Sequence, residues 1–145
     1  MIKTIPLSRL NKLKENHRNN IASPVITNSV TIELGHLQTF IAQAAAIQNC
    51  DAIRIHFVRH ELDANQDHVS RIDGINFSQV SLALVPGDLI RKAPDWISID
   101  LNDQDNNILT LLVCEPTSAA RATDDKTGQC PPKPPVCPPD NPDNP

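Results

Sequence analysis

The distribution of proline divides this chain of 145 residues into two unlike parts. Eight of the 13 prolines fall in residues 131–145, and the only large apolar residue after Val113 is Val136. A hydrophobic core needs large apolar side chains, and proline cannot donate a backbone hydrogen bond, so this end cannot build a core of its own. We therefore predict a single α+β domain over residues 1–116 and an extended proline-rich tail over residues 117–145.

Two segments of the domain have the period of an amphipathic helix. Leu7, Leu10 and Leu13 recur at every third position within residues 1–20, which also hold five basic side chains and one acidic one. This pattern predicts a basic N-terminal helix or arm. Residues 31–48 follow the helical period more fully, and we predict that they form a second helix, which covers one face of a sheet.

The strands are predicted from alternating or continuous apolar runs. Four runs have this composition: residues 52–60, 79–86, 97–101 and 108–114. Pro86 and Gly87 predict the end of the second strand, followed by one helical turn within residues 88–96. Residues 61–78 are polar and predict a long loop. Together these elements predict a mainly antiparallel sheet of about four strands, covered by one or two helices.

Composition argues against several classes of partner. The chain has one Trp, three Phe and no Tyr, which opposes the aromatic platforms on which single-stranded nucleic acids stack. No run of apolar residues reaches the length of a membrane span, and the N-terminus lacks the apolar run of a signal peptide. We expect a cytoplasmic protein that contacts neither nucleic acid nor membrane, with its four cysteines as thiols.

The sequence holds none of the standard catalytic motifs. A phosphate loop, G-x-S-x-G, H-E-x-x-H and C-x-x-C are all missing from the chain. We therefore expect no cofactor, assign no catalytic residue and regard enzymatic activity as the less favoured interpretation.

The strand at residues 52–60 carries the main candidate for a ligand site. Its alternation places Arg54, His56 and His60 on one face, together with Val58, and the apolar side chains of Ile53, Ile55 and Phe57 on the other. These three residues could form an anion pocket or an acid–base site, whereas the simpler interpretation is an ordinary polar sheet face. Two histidines four residues apart on a strand are about 13 Å from each other, which is too far to share one metal ion.

The tail offers two further candidates. A partner could recognise the P-x-x-P spacing of its prolines Pro131, Pro132, Pro134 and Pro135. Cys130 and Cys137 could hold a metal ion, form a local disulfide or remain unpaired thiols. Their separation in an extended arm is about 20 Å, and it favours the unpaired thiols.

The segment "FIAQAAAIQNCDAIRIHFVR" and the tail's "CPP" resemble a group of short uncharacterised bacterial proteins. The resemblance implies a compact α+β unit and adds nothing about activity or mechanism. We predict a non-catalytic protein-interaction or self-assembly module that uses its tail and sheet edges, with a homo-oligomer as one form of that assembly. The alternatives are a small-ligand binder or enzyme built on the polar sheet face, and a thiol-dependent metal protein.

Overall fold

This computed structural model describes residues 1–22, 27–63, 65–66 and 68–115. These residues contain two helices and eight strands. The helices are α1 (Leu7–Asn19) and α2 (Leu34–Ala45). The strands are β1 (Ile2–Pro6), β2 (Ala52–Val58), β3 (Glu61–Leu62), β4 (Ser70–Ile72), β5 (Ile75–Phe77), β6 (Ser81–Arg91), β7 (Ile97–Asp100) and β8 (Asn107–Leu112). Their pairs are antiparallel, which confirms the α+β class, whereas the predicted tail lies outside the described residues.

The main sheet has five strands in the order β1-β8-β6-β2, with β7 also paired to β6. The long strand β6 organises it, because it pairs with β2 along one side and with β8 and then β7 along the other. Among the described strands, β2 therefore forms one outer edge of this sheet and β1 forms the other.

The predicted break at Pro86 and Gly87 is wrong, because β6 continues through both residues to Arg91. The pairing of β6 with β8 involves Ala83 and Leu84, and its pairing with β7 begins at Gly87. Pro86 thus lies where the neighbour of β6 changes, a position at which no ladder N–H is required. Its carbonyl oxygen accepts a hydrogen bond from the Leu101 N–H at 3.0 Å. The predicted helical turn is replaced by the last residues of β6.

Two further elements differ from the sequence prediction. Residues 2–6 form β1, which pairs with β8 from Ile2–Leu111 to Pro6–Asn107. The predicted loop over residues 61–78 contains a second sheet of three strands in the order β3-β5-β4. These strands have two to five residues, so their apolar alternation is too short to recognise in the sequence.

The two helices cover opposite faces of the main sheet. On β6, Ala83 and Val85 pack with α1, whereas Leu84 packs with α2, and successive residues of a strand point to opposite faces. The α1 cluster contains Ile5, Leu10, Leu13, Val58, Ala83, Val85, Ile108 and Leu112. The α2 cluster contains Phe40, Ala44, Leu84, Leu111 and Val113.

Helix α2 is shorter than the predicted 31–48 and less buried. Its N-cap is Glu33, and Phe40 and Ala44 are its only buried residues. Leu34, by contrast, is 66% exposed. No helix among the described residues is long and apolar enough to cross a membrane.

Candidate functional site

The burial of the two faces of strand β2 is the reverse of what its sequence suggests: apolar side chains are exposed, and polar side chains are enclosed. Ile55 and Phe57 lie on the α2 face but beyond the reach of α2, and they are 52% and 58% exposed. Arg54 and His56 are turned towards the α1 face, where the His56 side chain is only 10% exposed. The polar face is therefore the more enclosed one.

Asp100 explains this arrangement, because its carboxylate binds both predicted site residues. Arg54 Nη1 lies 3.1 Å from Asp100 Oδ1, and His56 Nε2 lies 2.9 Å from Oδ2. An ionised carboxylate can only accept hydrogen bonds, so the Nε2 of His56 carries the donated proton. Burial by itself raises the pKa of Asp100, but the His56 hydrogen bond and the charge of Arg54 outweigh it, and the net pKa is lowered.

Gly87 makes this contact geometrically possible. It lies on β6 between Ala52 of β2 and Asp100 of β7, so the Arg54 side chain must pass over it to reach the carboxylate. A Cβ atom at Gly87 would come within 2.8 Å of Arg54 Cγ. The network is thus an internal ion pair, in which the charge expected to bind an external anion is already neutralised.

His60 does not join this network. It follows the end of β2, is 3% exposed, and its backbone N–H donates to Ser78 Oγ at 2.9 Å. Its Nε2 is buried and has no hydrogen-bond partner in the described part of the chain, and burial lowers its pKa to about 4. The structure therefore brings Arg54 and His56 together but leaves His60 in a separate, enclosed position.

Sequence reasoning missed a groove on the α2 face of the sheet, between the end of α1 and the segment that leads into α2. The groove holds about 520 Å³. It is lined by His17, Ile21, Thr27, Asn28, Ser29, Val30, Phe57, Arg59, Val80 and Leu82. One signal was present in the sequence: Arg59 continues the apolar stripe of Ile53, Ile55 and Phe57, so a cation ends an apolar face.

The predicted cysteine and proline sites of the tail lie outside the described residues. These are Cys130, Cys137, Pro131, Pro132, Pro134 and Pro135. Cys50 is a free thiol, whereas Cys114 is disulfide-bonded, so the expectation that every cysteine is a thiol is wrong for Cys114. Within the described ranges, no three His, Cys, Asp or Glu side chains come together as metal ligands.

In comparisons with known proteins, the chain matches no family model, no curated protein and no solved structure.

Proposed function

We propose that this protein is a non-catalytic self-assembly module that binds a second copy of itself through the outer edge of β2. The observation that carries the proposal is an unprotected edge strand with exposed apolar side chains. Natural proteins usually protect such edges with charged side chains, proline or bulges, because unpaired backbone groups recruit another strand.

The hydrogen bonds of the neighbouring strand β6 show which way the backbone N–H and C=O groups of β2 point. The Pro86 carbonyl points away from β2 to Leu101, so the Ile53–Pro86 pair is not a hydrogen-bonded one. The backbone N–H and C=O groups of residues 52, 54, 56 and 58 then point towards β6. Those of Ile53, Ile55 and Phe57 point outwards, away from the sheet. Leu13 O accepts the next outward N–H, that of Arg59, at 3.2 Å. Helix α1 therefore closes one end of the edge and leaves these three residues open among the described elements.

The side chains add apolar area to this edge instead of protecting it. The same outward-facing residues include Ile55 and Phe57, both more than half exposed. Arg54 is the only charged residue of β2, and Asp100 holds it on the other face. No proline lies in the strand.

A second copy fits this edge because the sequence around Ile55 is complementary to itself. With a two-fold axis at Ile55, antiparallel pairing places Ile55 opposite Ile55 and Ile53 opposite Phe57 of the other copy. Each of these pairs can exchange two backbone hydrogen bonds, and the apolar side chains lie together on one face. Two-fold dimers of this isologous kind are the commonest soluble oligomers.

The role of the tail remains a prediction within this proposal. The prolines of the tail would supply a second contact, which deletion of residues 117–145 tests through the dimer dissociation constant. The disulfide at Cys114 opposes the cytoplasmic placement, because disulfides are rare in that compartment.

The experiment is the native mass of the full chain over a range of concentrations, for the wild type and two charge variants. We expect a dimer for the wild type and a monomer for Ile55→Lys, because the substitution puts like charges opposite each other at the axis. Ile90→Lys is the matched control: Ile90 is 59% exposed but lies outside β2, so this variant stays dimeric. A wild type that is monomeric throughout contradicts the proposal, as does Ile55→Lys remaining a dimer.

A further inference from the structure

The groove on the α2 face contains three buried polar atoms that have no hydrogen-bond partner among the described residues. They are His17 Nδ1, Thr27 Oγ1 and Arg59 Nε. Nearly all buried polar groups in proteins are hydrogen-bonded, so several unpaired atoms along one groove indicate a missing polar partner. His60 Nε2 likewise finds no partner within the described ranges, but it does not line the groove.

Arg59 is the most costly of these groups to leave without a partner, because its side chain is a buried cation. It is 3% exposed, and its Nη1 donates to the Ser78 carbonyl oxygen at 3.0 Å. No carboxylate of the described residues forms an ion pair with it, and burial is the cause that lowers its pKa. A buried cation is costly unless an anion accepts its hydrogen bonds. The unpaired Nε edge of a guanidinium is suited to a carboxylate, whose two oxygens accept parallel bonds.

The rest of the groove is apolar. Ile21, Phe57 and Leu82 line it together with Val30 and Val80. Its volume of about 520 Å³ is within the range of small-molecule sites. The arrangement combines an apolar wall with one buried cation, as an amphiphilic anion requires.

We propose that this groove binds a small apolar monocarboxylate, with its carboxylate on Arg59 and its hydrocarbon chain against Phe57 and Leu82. The Thr27 hydroxyl can donate to the same carboxylate, and His17 can complete the polar end of the site. Burial, together with the nearby charges of Arg59 and Arg18, lowers the pKa of His17. The histidine is therefore neutral near pH 7, the groove carries a single positive charge, and a monoanion matches it better than a dianion.

The groove proposal does not depend on self-assembly through β2. Dimerisation uses the backbone edge of residues 53–57 and the side chains of Ile55 and Phe57, and Phe57 is the one residue of the groove lining that also takes part in it. The Ile55→Lys variant separates the two: it is expected to be monomeric and still to bind the carboxylate. Loss of dimerisation in this variant therefore says nothing against the groove.

The first test is calorimetric titration of the wild-type protein with octanoate and, separately, with octan-1-ol at pH 7. The two probes share the hydrocarbon chain and differ in the charged head. We expect octanoate to bind at least tenfold more tightly, because only the carboxylate can pair with the buried guanidinium. Equal affinities, or no binding of octanoate, overturn the proposal.

Variants then locate the site. Arg59→Gln is expected to weaken octanoate binding at least tenfold. The control is Arg54→Gln, which removes a sheet arginine that is already paired with Asp100, and we expect it to leave the affinity within twofold. Arg59 also bonds Ser78, so Arg59→Gln could fail to fold. Val80→Trp therefore provides a second test: it fills the groove, keeps Arg59 and is expected to abolish binding. Unchanged affinity in Val80→Trp contradicts the assignment.

Discussion

At the residue scale, His60 links burial to the dependence of stability on pH. Its ordinary pKa of 6.5 falls to about 4 in the folded protein because burial disfavours the charged ring. Between these values the unfolded chain binds a proton that the folded chain does not, so the free energy of unfolding decreases as the pH falls. Between pH 7 and pH 5 we expect His60 to account for a loss of about 2 kcal/mol. Urea denaturation at several pH values measures this loss.

The control for this prediction is His60→Gln, which cannot titrate in that range. Its own stability will differ from the wild type, but its free energy of unfolding should vary with pH by about 2 kcal/mol less. His17, whose pKa is also lowered, contributes equally to both proteins and cancels in the difference. Parallel pH profiles for the two proteins would show that His60 accepts a proton as readily when folded as when unfolded.

Individual site residues were only partly predictable from the sequence. Alternation along residues 52–60 correctly placed Arg54 and His56 on one face. Their partner, Asp100, is 44 residues beyond His56, and only the pairing of β7 with β6 brings it near. Arg59 could be seen as a cation on an apolar stripe, but its groove depends on α1 and on the segment before α2, which no local pattern relates to β2.

At the element scale, apolar periodicity identified both helices but did not indicate how much of each helix is buried. The pattern over residues 31–48 is the fuller one, yet α1 buries more of its stripe, with Leu10 at 0% and Leu13 at 1% exposure. Helix α1 follows β1 directly and lies across the centre of the main sheet, whereas α2 packs against part of the other face. Tertiary position therefore decides how much of a periodic stripe is buried, and the sequence does not encode it locally.

This difference between the helices predicts unequal costs for the same substitution. Leu13→Ala removes a buried side chain and leaves a cavity, so we expect the free energy of unfolding to decrease by about 2–5 kcal/mol. Leu34→Ala makes the same chemical change at a side chain that is 66% exposed, and we expect an effect within about 0.5 kcal/mol. Denaturation must be compared at one protein concentration, because dimerisation would stabilise the folded state. Similar costs at the two positions would mean that α1 and α2 are buried alike.

At the scale of the whole molecule, the main sheet and the small sheet are stabilised by different kinds of interaction. The main sheet has an apolar cluster on each face, whereas Leu62 and Phe77 of the small sheet are buried outside both clusters. Polar side chains of α1 and of its C-cap residue connect the small sheet to the rest: Asn16 Nδ2 donates to Glu61 Oε2 at 2.6 Å, and the C-cap Asn20 Oδ1 accepts from Ser70 Oγ at 2.5 Å. Hydrogen bonds contribute about 1 kcal/mol each, which is small beside the burial of a core side chain.

The small sheet should therefore open without global unfolding. In native-state hydrogen exchange followed by NMR, we expect the amides of β5 to exchange with a lower opening free energy than those of Ala83 and Val85 in β6. Ser70→Ala, which removes the contact to Asn20, should speed exchange in β4 and β5 and leave β6 unchanged. The strands are short, and a three-stranded sheet without an extensive apolar face is only marginally stable on its own. Equal opening free energies for β5 and β6 would instead show that both sheets unfold as one cooperative unit.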